Sequence, residues 1–174
     1  LSGNSTAGTS SEGGAIYAVN GNVVVNTSTL SGNSTAGSGS EGGAIYARNG
    51  SISVLNSTLS GNSTAGTGSE GGAIASPNSG NVQIVNSTLS GNQVNGTGTY
   101  GGGAIYISNG DVTIVNSTIT NNFANIGGGI GIIANSGGES LTIINSIIAG
   151  NTAATNPDFT APGTPGTNLV VRNS

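Results

Sequence analysis

The sequence predicts an all-β solenoid in which each repeat forms one coil and equivalent residues of successive coils stack in parallel. Three observations predict it. A Leu-Ser-Gly-Asn motif returns at an almost constant step, apolar and polar residues alternate within each step, and Gly or Asn stands at matching points between the alternating runs. The leading residue falls at Leu1, Leu30, Leu59 and Leu89, then becomes Ile119 and Ile148, at steps of 29, 29, 30, 30 and 29 residues. A period of this size marks a stacked architecture, in which no unit can bury its apolar face alone. The expectation is about six coils of 29–30 residues in a single continuous domain over 1–174.

Each element follows from the aligned repeats. After the leucine comes Gly3, Gly32, Gly61, Gly91, Asn121 and Gly150. Glycine replaced only by asparagine is what a left-handed backbone position requires. The next column is invariant within the chain: Asn4, Asn33, Asn62, Asn92, Asn122 and Asn151. Stacked amides can bond to one another and hold a backbone bend. Small residues follow, over 34–40, 63–69 and 93–100, and their Ser/Thr/Gly content predicts an outward loop.

Two strands complete the repeat. Gly-Gly-Ala-Ile leads into the column Ile16, Ile45, Ile74, Ile105, Ile130, with Tyr17, Tyr46, Ala75, Tyr106 and Gly131 beside it, expected to face outward. Asn-Gly turns stand at 20–21, 49–50 and 109–110, with longer versions at 78–80 and 135–138. Then Val23, Ile52, Val82, Val112, Leu141 and Val25, Val54, Ile84, Ile114, Ile143 form two apolar columns, separated by a mostly polar one. A second polar column holds Thr27, Asn56, Asn86, Asn116 and Asn145. With the leucine run, each repeat offers three short strands and no helical pattern. Equivalent residues recur in one chain direction, so a hairpin reading fails and the strands pair in parallel, giving a rod of roughly 30 Å for six coils.

Composition narrows the function. The chain has 33 Gly, 5% charged and 3% aromatic residues, and no Cys, His, Met or Trp. A net charge of −4 gives no basic footprint for nucleic acid or anionic lipid. Without cysteine there is no disulfide framework and no thiolate metal site. No apolar run approaches the roughly 20 residues of a membrane span. The chain starts and stops within the repeat, as expected of a processed product or an excerpt of a longer solenoid.

Gly-Gly-Ala-Ile at 13–16, 42–45, 71–74 and 102–105 resembles one half of the repeat motif of polymorphic outer membrane proteins, with Leu-x-x-Asn where that family has Phe-x-x-Asn. The stretch from Asn145-Ser146-Ile147-Ile148-Ala149-Gly150-Asn151 through Asn156-Pro157-Asp158-Phe159 to Asn168-Leu169-Val170 is similar to the terminal coil of large bacterial surface proteins. The resemblance implies a right-handed parallel β-helix of pectate-lyase-like fold and a secreted or cell-surface location. It implies no activity, since that fold serves lyases, adhesins and structural proteins alike.

Candidate sites are few. Glu12, Glu41 and Glu70 recur at one place in three coils and would form a carboxylate column at a spacing of about 5 Å. They could hold calcium between coils, or be solvated charges copied with the repeat. Pectate-lyase-type chemistry needs clustered Asp beside a basic residue, and Arg48 has no such neighbours. Nothing is expected to push the glutamate pKa values apart for glycosidase work, so no catalytic residue and no enzyme are expected. Thr29, Thr58, Thr88 and Thr118, each with Ser or Thr two positions on, would form outward hydroxyl rows, which suit either ice binding or any exposed strand. Nine Asn-x-Ser/Thr sequons occur, six of them in the Asn columns, where structural use competes with glycosylation. The Tyr column could stack on glycans.

The ends align as consecutive coils. Asn168-Leu169-Val170-Val171-Arg172-Asn173-Ser174 matches 81–87, and Leu1-Ser2-Gly3-Asn4 resumes the pattern. No cap is visible at either end, and open strand edges invite another strand. The sequence therefore predicts an extracellular structural protein, a filament subunit or surface-rod segment joining head-to-tail as a homopolymer. An adhesin stalk or carbohydrate-binding segment is the alternative, with an ice-binding protein or a polysaccharide lyase behind it.

Overall fold

The computed structural model describes residues 1–97, 100–133, 138–160 and 168–173. The expected Asn135–Gly138 turn and residues 98–99 of the fourth loop fall largely outside the described residues, and Ser174 falls wholly outside. Every strand pairing is parallel and joins equivalent residues of adjacent coils. Leu30 stands beside Leu59, Leu59 beside Leu89, Leu89 beside Ile119, and Ile119 beside Ile148. Asn168 to Arg172 pair with Ser140 to Ile144, so the last coil keeps the register of the repeat. The stack makes about five turns rather than six, and the turn opened by Ile148 is incomplete among the described residues.

Four sheets line the rod. The leucine sheet contains Thr29–Ser31, Thr58–Ser60, Thr88–Ser90, Thr118–Thr120 and Ile147–Ala149. The isoleucine sheet runs from Ile16–Val19 through Ile45–Arg48, Ile74–Ser76, Ile105–Ser108 and Ile130–Ile133 to Phe159–Thr160. The valine sheet holds Val23–Asn26, Ile52–Leu55, Val82–Val85, Val112–Val115, Ser140–Ile144 and Asn168–Arg172. The fourth sheet, Ser5–Ala7, Ser34–Ala36, Ser63–Ala65 and Gln93–Val94, corrects the expectation of an outward loop. Its inward column is Thr6, Thr35, Thr64 and Val94, and Thr35, Thr64 and Val94 are fully buried. The run alternates like any strand, but its inward residues are threonines, so it reads as polar.

Alternation sets the core. Leu59, Ile45, Ile52, Val54, Ile84 and Ile114 are wholly buried and belong to one continuous aliphatic cluster. Each such side chain contributes about 1.5–3 kcal/mol against exposure. The corners turn where the Gly/Asn pattern expects. Gly32 and Gly61 have φ of 60° and 61°, and Asn121, standing in the same column, has 55°. The second polar column is also left-handed, with φ of 48° at Thr27, 49° at Asn56 and 48° at Asn86. Gly43 answers a different need: a Cβ there would collide with the carbonyl oxygens of Gly72 and Ser63.

Candidate functional site

The invariant asparagines form a buried ladder along one corner. Asn33, Asn62, Asn92 and Asn122 are fully buried. In each, the backbone N–H and the side-chain Nδ2 both donate to the Oδ1 of the next asparagine. Asn33 reaches Asn62 at 3.0 and 2.9 Å, and Asn62 reaches Asn92 at the same distances. The second Nδ2 hydrogen goes to a leucine-column carbonyl of the preceding coil, as from Asn62 to Leu30 at 3.1 Å and from Asn92 to Leu59 at 3.0 Å. Every polar atom of these amides is thereby used, which is what burial demands. At the first coil Asn4 donates to Asn33 in the same way.

The ladder is closed at its other end. Asn151 donates from N at 3.4 Å and from Nδ2 at 3.0 Å to Oδ1 of Asp158, which stands in for the next asparagine. Phe159 beside it continues the isoleucine column and packs against the core. The expectation that neither end carries a cap is corrected here: at this corner a carboxylate already fills the position a further coil's amide would take.

Two lesser ladders accompany it. Ser57, Ser87, Ser117 and Ser146 accept from the backbone N–H of the preceding coil's serine at 3.0 Å and donate to the carbonyl two residues earlier. Asn56, Asn86 and Asn116 are exposed, and each Nδ2 donates backward at 3.2 Å, Asn56 reaching Asn26 in place of Thr27. Asn145 shares their left-handed bend, with φ of 47°.

Glu12, Glu41 and Glu70 are brought into register by parallel bridges. They are not freely solvated charges. Glu70 is buried, and Glu41 is largely so. The loops that carry them meet the outer side of the isoleucine sheet, where Tyr46, Ala75, Tyr106 and Ile133 form a small buried cluster. Tyr46 and Tyr106 are 4% and 6% exposed, which corrects the reading of an open tyrosine face for glycans. Tyr17 stacks on Tyr46 with ring centroids 5.5 Å apart and is itself exposed. The Tyr46 hydroxyl is hydrogen-bonded to Glu12, and that of Tyr106 to Glu70. Burial raises the Glu70 pKa, while Tyr106 and the Tyr100 backbone pull it down. Burial, then Glu70 and Glu12, push Glu41 up to about 8. Both tyrosine hydroxyls are pushed up, chiefly by burial. The pKa values of Glu41 and Glu70 are thus driven upward, which the sequence had not led us to expect. Among the described residues, no three Asp, Glu, His or Cys side chains are grouped to hold a metal ion.

Of the exposed large apolar residues, Leu1, Tyr17, Val19 and Val24 lie on the first coil and Ile147, Leu169 and Val171 on the last, with Tyr100 and Phe123 between them. A cleft of about 420 Å³ opens at the first coil beside Leu1, Ile16, Val25 and Leu30. Another of about 310 Å³ lies at the last, beside Ile143, Ile148, Phe159 and Val171. Val170 sits between the two core columns, and Arg172 and Asn173 are exposed. At the first coil Ser2 bridges Ser31, and Gly3 donates to Ser31 at 3.0 Å. The Thr and Ser rows of the leucine sheet stand in register and are mostly half-exposed.

The Chlamydia polymorphic membrane protein repeat matches residues 27–48. That window runs from the left-handed bend at Thr27, through Leu30 and Asn33, to the Gly42-Gly43-Ala44-Ile45 strand. The chain is similar to the polymorphic membrane proteins. Its stacked parallel coils fit a β-helix surface protein of that kind, as the Gly-Gly-Ala-Ile motif had implied. No curated protein and no solved structure matches the chain. No helix among the described residues is long and apolar enough to cross a membrane, which says nothing of a β-barrel.

Proposed function

We propose that this chain is the rod of an extracellular surface protein and that it lengthens by coil-on-coil stacking, head-to-tail between copies. The observation that carries the reading is the exposure of core-column residues at both ends of the stack, Leu1 at the first coil and Leu169 and Val171 at the last. Leu1 at one end, with Leu169 and Val171 at the other, would be covered by another coil in register. The repeat match supports the surface setting. The contact is heterologous, so it propagates rather than closes.

A second reading is a stalk segment of a larger adhesin. Asp158 favours it, because it finishes the asparagine ladder at one end. A polar groove of about 320 Å³ on the valine sheet, lined by Ser51, Ser53, Gln83, Asp111, Thr113 and Ser140, is where a glycan would lie. Negative-stain electron microscopy of the purified chain over a concentration series, without fixative, separates the readings. Rods of uniform width that lengthen with concentration support head-to-tail assembly. Short particles of one length at every concentration overturn it and favour the stalk.

A further inference from the structure

The glutamate column carries more than charge. Glu12 and Glu70 each have a tyrosine hydroxyl from the neighbouring coil's isoleucine sheet, Tyr46 and Tyr106 respectively. The phenol that would serve Glu41 belongs at position 75, between Tyr46 and Tyr106 in the register. That position is Ala75, fully buried. Glu41 is therefore the one member of the column without a tyrosine, and its Oε2 is buried with no hydrogen-bond partner. It is also the middle carboxyl, flanked by Glu12 and Glu70 through parallel bridges. Three carboxylates at the strand spacing of about 4.8 Å repel one another, and the central one feels both neighbours.

We propose that the Glu12–Glu41–Glu70 column is a proton-operated clasp: a proton held on Glu41 keeps the corner loops closed over Tyr46, Ala75 and Tyr106, and its loss loosens them. Protonation removes the central charge, relieves repulsion on both sides and lowers the cost of burial. Ionisation leaves the buried Oε2 with no donor, and the remedy open to it is exposure to water. The titratable and charged groups around Glu41 are Glu12 and Glu70 along the column, Tyr46 and Tyr106 beneath it, Arg48 and Tyr17 beside Tyr46, and Tyr100 beside Glu70. Of these, Arg48 carries a positive charge, and it acts on Tyr46. The upward displacement of Glu41 to about 8 agrees with this placement. The column stops after three coils because Gly101 occupies the next position, so the clasp is local to the first half of the rod.

The test uses the whole chain between pH 3 and 9. Carboxyl ¹³C NMR follows each glutamate, and acrylamide quenching of tyrosine fluorescence follows the loops. The expected result is one glutamate titrating about three units above the ordinary range, a signal absent in Glu41→Gln. Quenching should rise through the same pH in the wild type and stay flat in the variant. If every glutamate titrates between about pH 4 and 5, or if quenching is pH-independent in the wild type, the clasp is refuted. The wild-type titration decides this even if the variant fails to fold.

Discussion

Replacing Asn62 with leucine isolates the contribution of the buried ladder. The two side chains are close in volume, so little cavity is made. Asn62 is fully buried, and its side chain takes part in four hydrogen bonds. Leucine removes all four. The N–H of Asn33 and one hydrogen of its Nδ2 lose their acceptor, while the other keeps the Leu1 carbonyl at 3.2 Å. Oδ1 of Asn92 still accepts from the N–H of residue 62. Two buried donors left unpaired cost about 1–3 kcal/mol each. Leucine returns about 1.5–3 kcal/mol through apolar burial. The net loss is about 2 kcal/mol. With a urea slope of roughly 1–3 kcal/mol per molar, the unfolding midpoint should fall by about 1 M. Asn56→Gly, at an exposed left-handed position, should move it by less than a third of that. An unchanged midpoint for Asn62→Leu, or equal shifts for both variants, would mean that the buried ladder adds no net stability.

Other outcomes follow from the same geometry. Glu41 binds its proton more tightly folded, at about 8, than unfolded, at 4.5. Its stabilising protonation is intact below about pH 4.5 and is lost as pH rises to 8, so stability should fall across that window by at most about 1.4 kcal/mol per pH unit. Thermal melts at fixed ionic strength check this, and Glu41→Gln should flatten the slope. Thr64→Val should stabilise by about 1 kcal/mol in chemical denaturation, because the Thr64 hydroxyl is buried without a partner and Val94 already fills that column. Gly43→Ala, facing carbonyl oxygens, should prevent folding of the stack, whereas Gly61→Ala has open space and meets only the strain of φ 61°, about 1 kcal/mol; circular dichroism melts distinguish them. Asp158→Asn keeps the acceptor for Asn151 and should be near neutral, while Asp158→Ala should cost about 1–3 kcal/mol, read as faster amide exchange in the last coil.

The parallel register was legible because the core columns are aliphatic and alternate. Val23, Ile52, Val82 and Val112 leave no other pairing once the step of 29–30 residues is seen. The asparagine column was legible for a related reason: a residue fixed in every repeat, next to a left-handed glycine, belongs to a bend. The fourth sheet was hidden because Thr35 and Thr64 face the interior with polar hydroxyls, and only Val94 betrays the column. Burial of Tyr46 and Tyr106 could not be read from a period of two. They do face away from the core, and the loops that carry the glutamates meet them there. Asp158 lies in a coil whose repeat has decayed, seven residues beyond Asn151, so no column announces it. The missing tyrosine at Ala75 was visible in the alignment, but its meaning depends on which glutamate each phenol reaches.

Hydrogen exchange of the asparagine side-chain amides tests most directly the claim that a buried ladder binds the coils together. The NH₂ groups of Asn33, Asn62, Asn92 and Asn122 are enclosed and doubly bonded, whereas those of Asn56, Asn86 and Asn116 are exposed with a single 3.2 Å bond each. The account predicts strong protection for the first four and rapid exchange for the other three. Rapid exchange at Asn62 and Asn92, or equal rates in both columns, would contradict it.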